Sequence, residues 1–350
     1  MKIALDATYS VGDALSGVGV YSRELLQRLP RAHPEAAWDW FYRSQRYWRS
    51  LGQAKPPNVT RRFLADSFGD RSAELFHGLN QRLPKRRFRR QIATFHDLFV
   101  LSGDYSSPEF RTRFAAQARD AAQASDLIIA VSEFTARQVE EHLSVPSSRI
   151  RVVHHGVVPR ELPPRELLPS SGEKLREKLV LCVGAIQRRK NQARLVRAFR
   201  ALPEDWTLIL AGSSGFAAED TLREIAESGC ASRIRVTGYL SDAEIAGLYA
   251  RASIFAFPSL DEGFGMPVLE AMSAGVPVVT SNRSALPEIA GGCALLIDPE
   301  RDEELSGALI LLAKDEKIRK EFAELGKSHA SAFTWARAAE STAAVYRELI

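Results

Sequence analysis

The chain has 350 residues, 45% hydrophobic and 26% charged, which suits two domains with separate cores and excludes a disordered chain. No apolar run approaches the roughly 18–20 residues that span a bilayer, and Asp6 comes too early for a secretory signal. The net charge of +4 is uneven: residues 1–172 carry 25 Lys and Arg against 18 Asp and Glu, residues 173–350 carry 22 against 25.

Lys2 to Ala7 reads as a buried strand, Thr8 to Ser16 as a loop, and the spacing of Val20, Leu25, Leu26 and Leu29 predicts an amphipathic helix. Between them lies Gly17-Val18-Gly19. Strand, glycine turn and helix open a nucleotide-binding α/β domain. Position 22 is Ser, so the third glycine of a dinucleotide fingerprint is missing and a dehydrogenase is disfavoured. The glycines read equally as a turn needing positive φ or as a loop that lets a ligand approach the backbone. Two basic stretches follow, Trp38 to Arg49 with its aromatics and Lys85 to Arg90. Basic residues beside exposed aromatics suit an anionic membrane surface or nucleic acid, and equally a solvated face.

Further strands are expected at Leu75–Gly78, Gln91–Phe95, Leu127–Val131 and Arg151–Gly156, with a helix from Ser107 to Gln123 and another capped by Ser132. This alternation predicts a parallel sheet covered by helices. His96, Asp97, Ser132, His155 and Gly156 would then gather beyond the carboxyl ends of the strands, where open parallel sheets bind ligands.

Pro159 to Gly172 reads as a linker, after which a second α/β series begins. Its strands are expected at Leu179–Gly184, Trp206–Ala211, Ile234–Gly238, Ala252–Phe257 and Val276–Thr280. Arg189-Lys190 follows the first of them and opens a helix. Cations oppose the dipole at a helix start, so a diphosphate partner is favoured over an exposed basic turn. Glu262 and Glu270 stand eight positions apart around Gly263-Phe264-Gly265-Met266-Pro267. Carboxylates for hydroxyls beside a helix start that favours anions suit a sugar nucleotide. Cys182, Cys230 and Cys293 form neither a disulfide framework nor a zinc site, and a reducing cytoplasm fits.

Glu262-x7-Glu270 resembles the signature of the retaining GT4 glycosyltransferases of GT-B fold. Val183 to Asn191, Val236 to Leu240, Gly17-Val18-Gly19, Thr94 to Asp97, Val131 to Phe134 and His155-Gly156-Val157 are similar to that family's other landmarks, in order. The resemblance covers essentially the whole chain. It implies two Rossmann-like domains with parallel sheets facing across a cleft. These are an acceptor-binding domain over residues 1–160, a linker over 161–173, a nucleotide-sugar domain over 174–332, and a helix over 333–350 crossing back to the first domain. It also implies roles. Glu270 would bind the ribose and Glu262 the transferred sugar, with Phe264, Gly265 and Met266 giving backbone contacts. Arg189 and Lys190 would neutralise the diphosphate, approached by Gly17, while Gly238, Tyr239 and Leu240 would meet the base. His96 would line the donor–acceptor junction. Two departures stand out. Ala185 replaces the arginine many relatives have after the glycine, which leaves Arg188 and Arg189 as candidates, and Val158 replaces an acidic residue.

Asp-x-Asp is absent, so no metal clamp is expected and Arg and Lys would supply the charge. No cofactor is expected beyond the donor substrate. The resemblance favours GDP-mannose over UDP- or dTDP-sugars, a glycan or lipid-linked acceptor, and retention of configuration by a front-face route. A cytoplasmic site is expected, peripheral on the inner face of the membrane through the basic N-domain, with no nucleic-acid partner. The competing readings are a sugar-nucleotide epimerase, a phosphorylase, or a non-catalytic nucleic-acid or membrane-binding module. Replacing Glu262 or Lys190 by alanine is expected to cut turnover and leave the fold intact.

Overall fold

The computed structural model describes residues 1–12, 15–65, 72–158 and 176–350. They form two compact units, Met1–Gly156 with Phe333–Ile350, and Val157–Ala332. The linker expected over 161–173 lies outside the described residues.

The first unit runs β1 (Lys2–Asp6), α1 (Gly17–Ala32), β2 (Ala37–Tyr42), α2 (Ser44–Ser50), β3 (Val59–Phe63), β4 (Leu75–Gly78), β5 (Arg90–Phe95), α3 (Phe99–Ser102), α4 (Pro108–Ala124), β6 (Leu127–Ala130), α5 (Glu133–Leu143) and β7 (Ile150–Val152). Its described strands pair in the order β3-β2-β1-β4-β5-β6-β7, all parallel. Parallel strands buried on both faces carry continuous apolar runs rather than alternation. The first half of the aromatic stretch expected at the surface is one of these, while Trp48 and Arg49 in α2 are exposed as expected. Trp38, Trp40, Phe41 and Tyr42 are buried in β2. Asp39 interrupts the apolar run and hides the strand in the sequence. It is itself buried, paired with Lys2 on β1 at 3.0 Å and Arg62 on β3 at 3.1 Å.

α1 starts at Gly17, three residues before the periodicity suggested, because the Ser16 hydroxyl caps it by accepting from the Gly19 N–H. Gly17 and Gly19 therefore sit in a helical turn. A Cβ on Gly19 would lie 2.9 Å from the Tyr9 carbonyl, so close approach rather than positive φ demands glycine there. Tyr21, Leu25, Leu26 and Leu29 form its buried face.

The second unit runs β8 (Leu179–Val183), α6 (Gln192–Phe199), β9 (Thr207–Ala211), α7 (Ala218–Glu227), β10 (Ile234–Val236), α8 (Asp242–Arg251), β11 (Ile254–Phe257), α9 (Met266–Ser273), β12 (Val278–Ser281), α10 (Leu286–Ala290), β13 (Leu295–Ile297), α11 (Asp302–Lys314) and α12 (Glu316–Ala330). Its described strands pair in the order β10-β9-β8-β11-β12-β13, again all parallel. The chain then returns to the first unit. α13 (Trp335–Arg347), capped by Thr334, packs on α1 and buries Trp335 and Tyr346.

Candidate functional site

In the second unit the strand order reverses between β8 and β11. Strands β9 and β10 lie to one side of that pair, β12 and β13 to the other. Loops leaving adjacent strands at such a point diverge and open a crevice beyond the carboxyl ends. The two loops that leave β8 and β11 carry the basic pair and Glu262.

Arg189 and Lys190 do not open α6, as expected, but lie in a short 3-10 turn, Arg188–Lys190, that precedes it. Asn191 ends this turn in the left-handed region, φ 59°, and its amide donates to the carbonyls of Pro258 at 3.1 Å and Pro299 at 2.8 Å. Asparagine tolerates this conformation better than most residues. It thereby ties the loop after β8 to the loops after β11 and β13. The turn aims its side chains in opposite directions. Arg188 faces outward to Asp220 at 3.1 Å and lies over the Phe216 ring. Arg189 and Lys190 turn inward and are both 8% exposed, which removes the reading as an exposed basic turn.

They meet Glu262, itself 7% exposed. Lys190 Nζ lies 2.6 Å from Glu262 Oε1 and Arg189 Nη1 lies 3.0 Å from Oε2. Arg189 also donates to the Asp261 carbonyl, and Lys190 Nζ sits 4.5 Å from the Phe257 ring centre. Burial pushes the Glu262 carboxyl up, but Arg189 and Lys190 together outweigh it and hold the group at about 2. Burial lowers Lys190 more than Glu262 raises it. Two buried cations thus share one buried carboxylate. Removing that carboxylate by alanine leaves both without it, so a loss of stability is expected beside the loss of turnover.

The Glu262 backbone is fixed from the loop after β12. Its N–H donates to Ser284 Oγ at 3.1 Å, and its carbonyl accepts from the Ala285 N–H at 3.2 Å. Ser284 is also left-handed, φ 57°. A serine and an asparagine in this strained region beside one cluster are what functional sites accumulate. Nothing in the sequence patterns marks Ser284. Asn191 entered the sequence reading only as the last residue of the segment Val183 to Asn191.

Gly265 precedes α9 with φ 105°, so the conformation favours glycine; a Cβ there would also meet the end of the Leu286 side chain at 2.7 Å. Phe264 is buried, while Met266, the first residue of α9, is half-buried. Glu270 lies a turn further along, half-buried, and accepts from the hydroxyl of the fully buried Tyr249 at 3.0 Å. Tyr249 on α8 is a partner the sequence did not reveal. Gly238, Tyr239 and Leu240 follow β10 at the sheet edge, where Gly238 bridges to Gly212 and Tyr239 is exposed.

The first unit holds the other two candidates. Gly17 is exposed at the start of α1. His96 follows β5 and is buried. Its Nε2 lies 3.0 Å from the Leu79 carbonyl, which can only accept, so this nitrogen carries the proton. Burial lowers its pKa to about 4. The ring stacks on His155 at 5.4 Å and meets the edge of Tyr21 at 4.7 Å. His77, buried beneath and lowered by burial to about 3, bridges Thr94 at 2.8 Å and the α13 residue Tyr346 at 2.7 Å. These histidines form a neutral aromatic network in which His96 cannot act as a cation at neutral pH. Among the described residues no group of three or more His, Cys, Asp and Glu side chains is placed to hold a metal ion. No described helix is long and apolar enough to cross a membrane.

Two Rossmann-like units with parallel sheets, one presenting an Arg–Lys–Glu cluster at its switch point, define a GT-B glycosyltransferase. The profile described as "Glycosyl transferases group 1" matches residues 165–329, and that of "Glycosyltransferase Family 4" matches residues 70–161. O-antigen chain mannosyltransferase B of Escherichia coli is 32% identical over 79% of this chain and 74% of its own length. The chain belongs to glycosyltransferase family 4. Serotype-specific mannosyltransferase WbdA of Escherichia coli is 28% identical over 71% of this chain and 32% of that longer protein. Sucrose-phosphate synthase from Thermosynechococcus elongatus superposes with a TM-score of 0.78 over 100% of this chain and 99% of that one; at 20% identity this bears on the fold alone.

Proposed function

We propose that the protein transfers a hexose, mannose from GDP-mannose, with retention of configuration, to a glycan or lipid-linked oligosaccharide acceptor of a cell-surface polysaccharide. The observation that carries this is the buried cluster of Arg189, Lys190 and Glu262 at the switch point. Charge fixed at that position suits a leaving diphosphate. The mannosyltransferase relative supports the sugar.

In this reading Arg189 and Lys190 face the diphosphate, and Arg188, turned toward Asp220, takes no part. Glu262 accepts from hydroxyls of the donor sugar, and Glu270, steadied by Tyr249, binds the ribose diol. The α9 start, with Phe264, Gly265 and Met266, offers backbone N–H groups, and Gly238 to Leu240 meet the base. The acceptor oxygen attacks the anomeric carbon on the face the phosphate leaves. The bond from that carbon to the phosphate oxygen breaks, its electron pair goes to the diphosphate, and that oxygen takes the acceptor proton. The two cations meet the developing charge, so no metal is required.

Lys85, Arg86 and Arg89 are exposed beside an anchoring Phe88 that stacks on Phe76, while Arg87 and Arg90 pair with Asp126 at 2.9 and 3.4 Å; the exposed cations support a peripheral site on an anionic membrane. Flotation with anionic vesicles at low salt tests this, and no binding would refute it.

The central test is a transfer assay with GDP-mannose, UDP-glucose and dTDP-sugars, with the product anomer read by NMR. Turnover of GDP-mannose to the same anomer, unaffected by chelator, is expected. Preference for another donor, an inverted product or loss of turnover in chelator each refutes the corresponding part.

A further inference from the structure

The ion pairs at the switch point hold a difficulty for any diphosphate. Both cations it would use already face a carboxylate, at 2.6 and 3.0 Å, and all three side chains are about nine-tenths buried. The segments that carry them are tied in place. Glu262 is pinned through its own N–H and carbonyl. Lys190 is held over Phe257, and the Arg189 carbonyl accepts from the Leu260 N–H at 2.8 Å. A phosphate drawn to Lys190 and Arg189 therefore comes close to the Glu262 carboxylate, and like charges at short range in a buried site repel strongly.

We infer that Glu262 is an internal counter-ion that favours a nucleotide sugar over the nucleoside diphosphate left after transfer. The inference rests on the reading of Arg189 and Lys190 as the diphosphate pair. A nucleotide sugar brings hydroxyls, which donate to the carboxylate and compensate it for the share of the cations it gives up. A nucleoside diphosphate ends in a phosphate oxygen at that point. It brings no donor and one further negative charge. Once the sugar has gone, the carboxylate regains its full hold on Lys190 and Arg189, and the diphosphate is displaced. Glu262 thus acts on product release as well as on the donor sugar.

The experiment is calorimetric titration of wild type, Glu262→Gln, Glu262→Asp and Lys190→Ala with GDP and UDP, and with the corresponding nucleotide sugars. Glu262→Gln is expected to bind the better nucleoside diphosphate about tenfold tighter, the equivalent of one removed repulsion, while its affinity for the nucleotide sugar does not rise. Glu262→Asp keeps the buried charge and retracts it by one methylene, so its gain is intermediate; it also serves if the glutamine variant fails to fold. Folded variants at position 262 that gain no affinity for the diphosphate overturn the inference. Lys190→Ala separates the two levels of the argument. If it binds the diphosphate as wild type does, the diphosphate reading falls and the inference with it. If it loses that affinity while the position 262 variants gain none, the inference falls alone.

Discussion

Glu262→Gln replaces a buried carboxylate by a neutral group of the same shape. The carboxyl titrates at about 2 against an ordinary 4.5. Each pH unit between those values corresponds to about 1.4 kcal/mol, so the ionised form contributes about 3 kcal/mol at neutral pH. Glu262 is only 7% exposed, so solvent screening takes little from this. Lys190 is lowered by burial at the same time, which makes the whole pair worth less than the carboxylate's share. The substitution, however, removes the anion alone and leaves the cations buried, a loss of similar size in other proteins. For a unit of this length it amounts to a fall of about 6–12 °C in the melting temperature of the Val157–Ala332 unit, read by calorimetry. The sign with pH follows. The folded carboxyl titrates below the unfolded one, so its contribution is complete above about 4.5 and fades as pH falls toward 2. Wild type and variant should converge there. A difference under about 1 kcal/mol at pH 7, or one that persists unchanged at low pH, would refute the stabilisation of this carboxylate by its two cations.

The first unit has the opposite kind of titration. His77, His96 and His155 are buried neutral, so the unfolded chain binds their protons first and stability falls as pH drops below about 6.5. The three together should cost about 3 kcal/mol between pH 6.5 and 5.5, and urea titrations that show no change over that range would count against the network. Tyr249→Phe removes the hydrogen bond to Glu270 and should weaken a ribonucleotide about tenfold while leaving its 2′-deoxy counterpart unchanged; equal loss for both would remove the ribose role. Arg188→Ala breaks an exposed ion pair and a contact with the Phe216 ring and should keep turnover within about twofold, whereas Arg189→Ala should lower it about a hundredfold or more. Similar losses in both would return Arg188 to the site.

Much of the architecture was legible because parallel strands and their helices write local patterns. β8, β11 and α4 emerged from the sequence almost to the residue, since continuous apolar runs and amphipathic spacing depend on each element's own burial. β2 did not, because Asp39 interrupts it and is tolerable only between Lys2 and Arg62 on neighbouring strands. β13, α11 and α12 left no motif that chemistry could use, and their place is set by packing.

The candidate site divides along the same line. The residue types were visible in sequence: two carboxylates eight positions apart, a basic pair after a strand, and glycine where α9 begins. Which arginine turns inward was not, because Arg188 and Arg189 have identical side chains and differ only in where a 3-10 turn ended by Asn191 aims them. Nor was the pairing of Glu262 with Arg189 and Lys190, far earlier in the chain. Sequence determined that carboxylate, cations and anion-favouring helix start exist. The tertiary structure alone decided that β8 and β11 lie side by side, and so that the buried charges compensate one another. Coulombic attraction acts over a few ångströms of space, and only the strand order sets that distance.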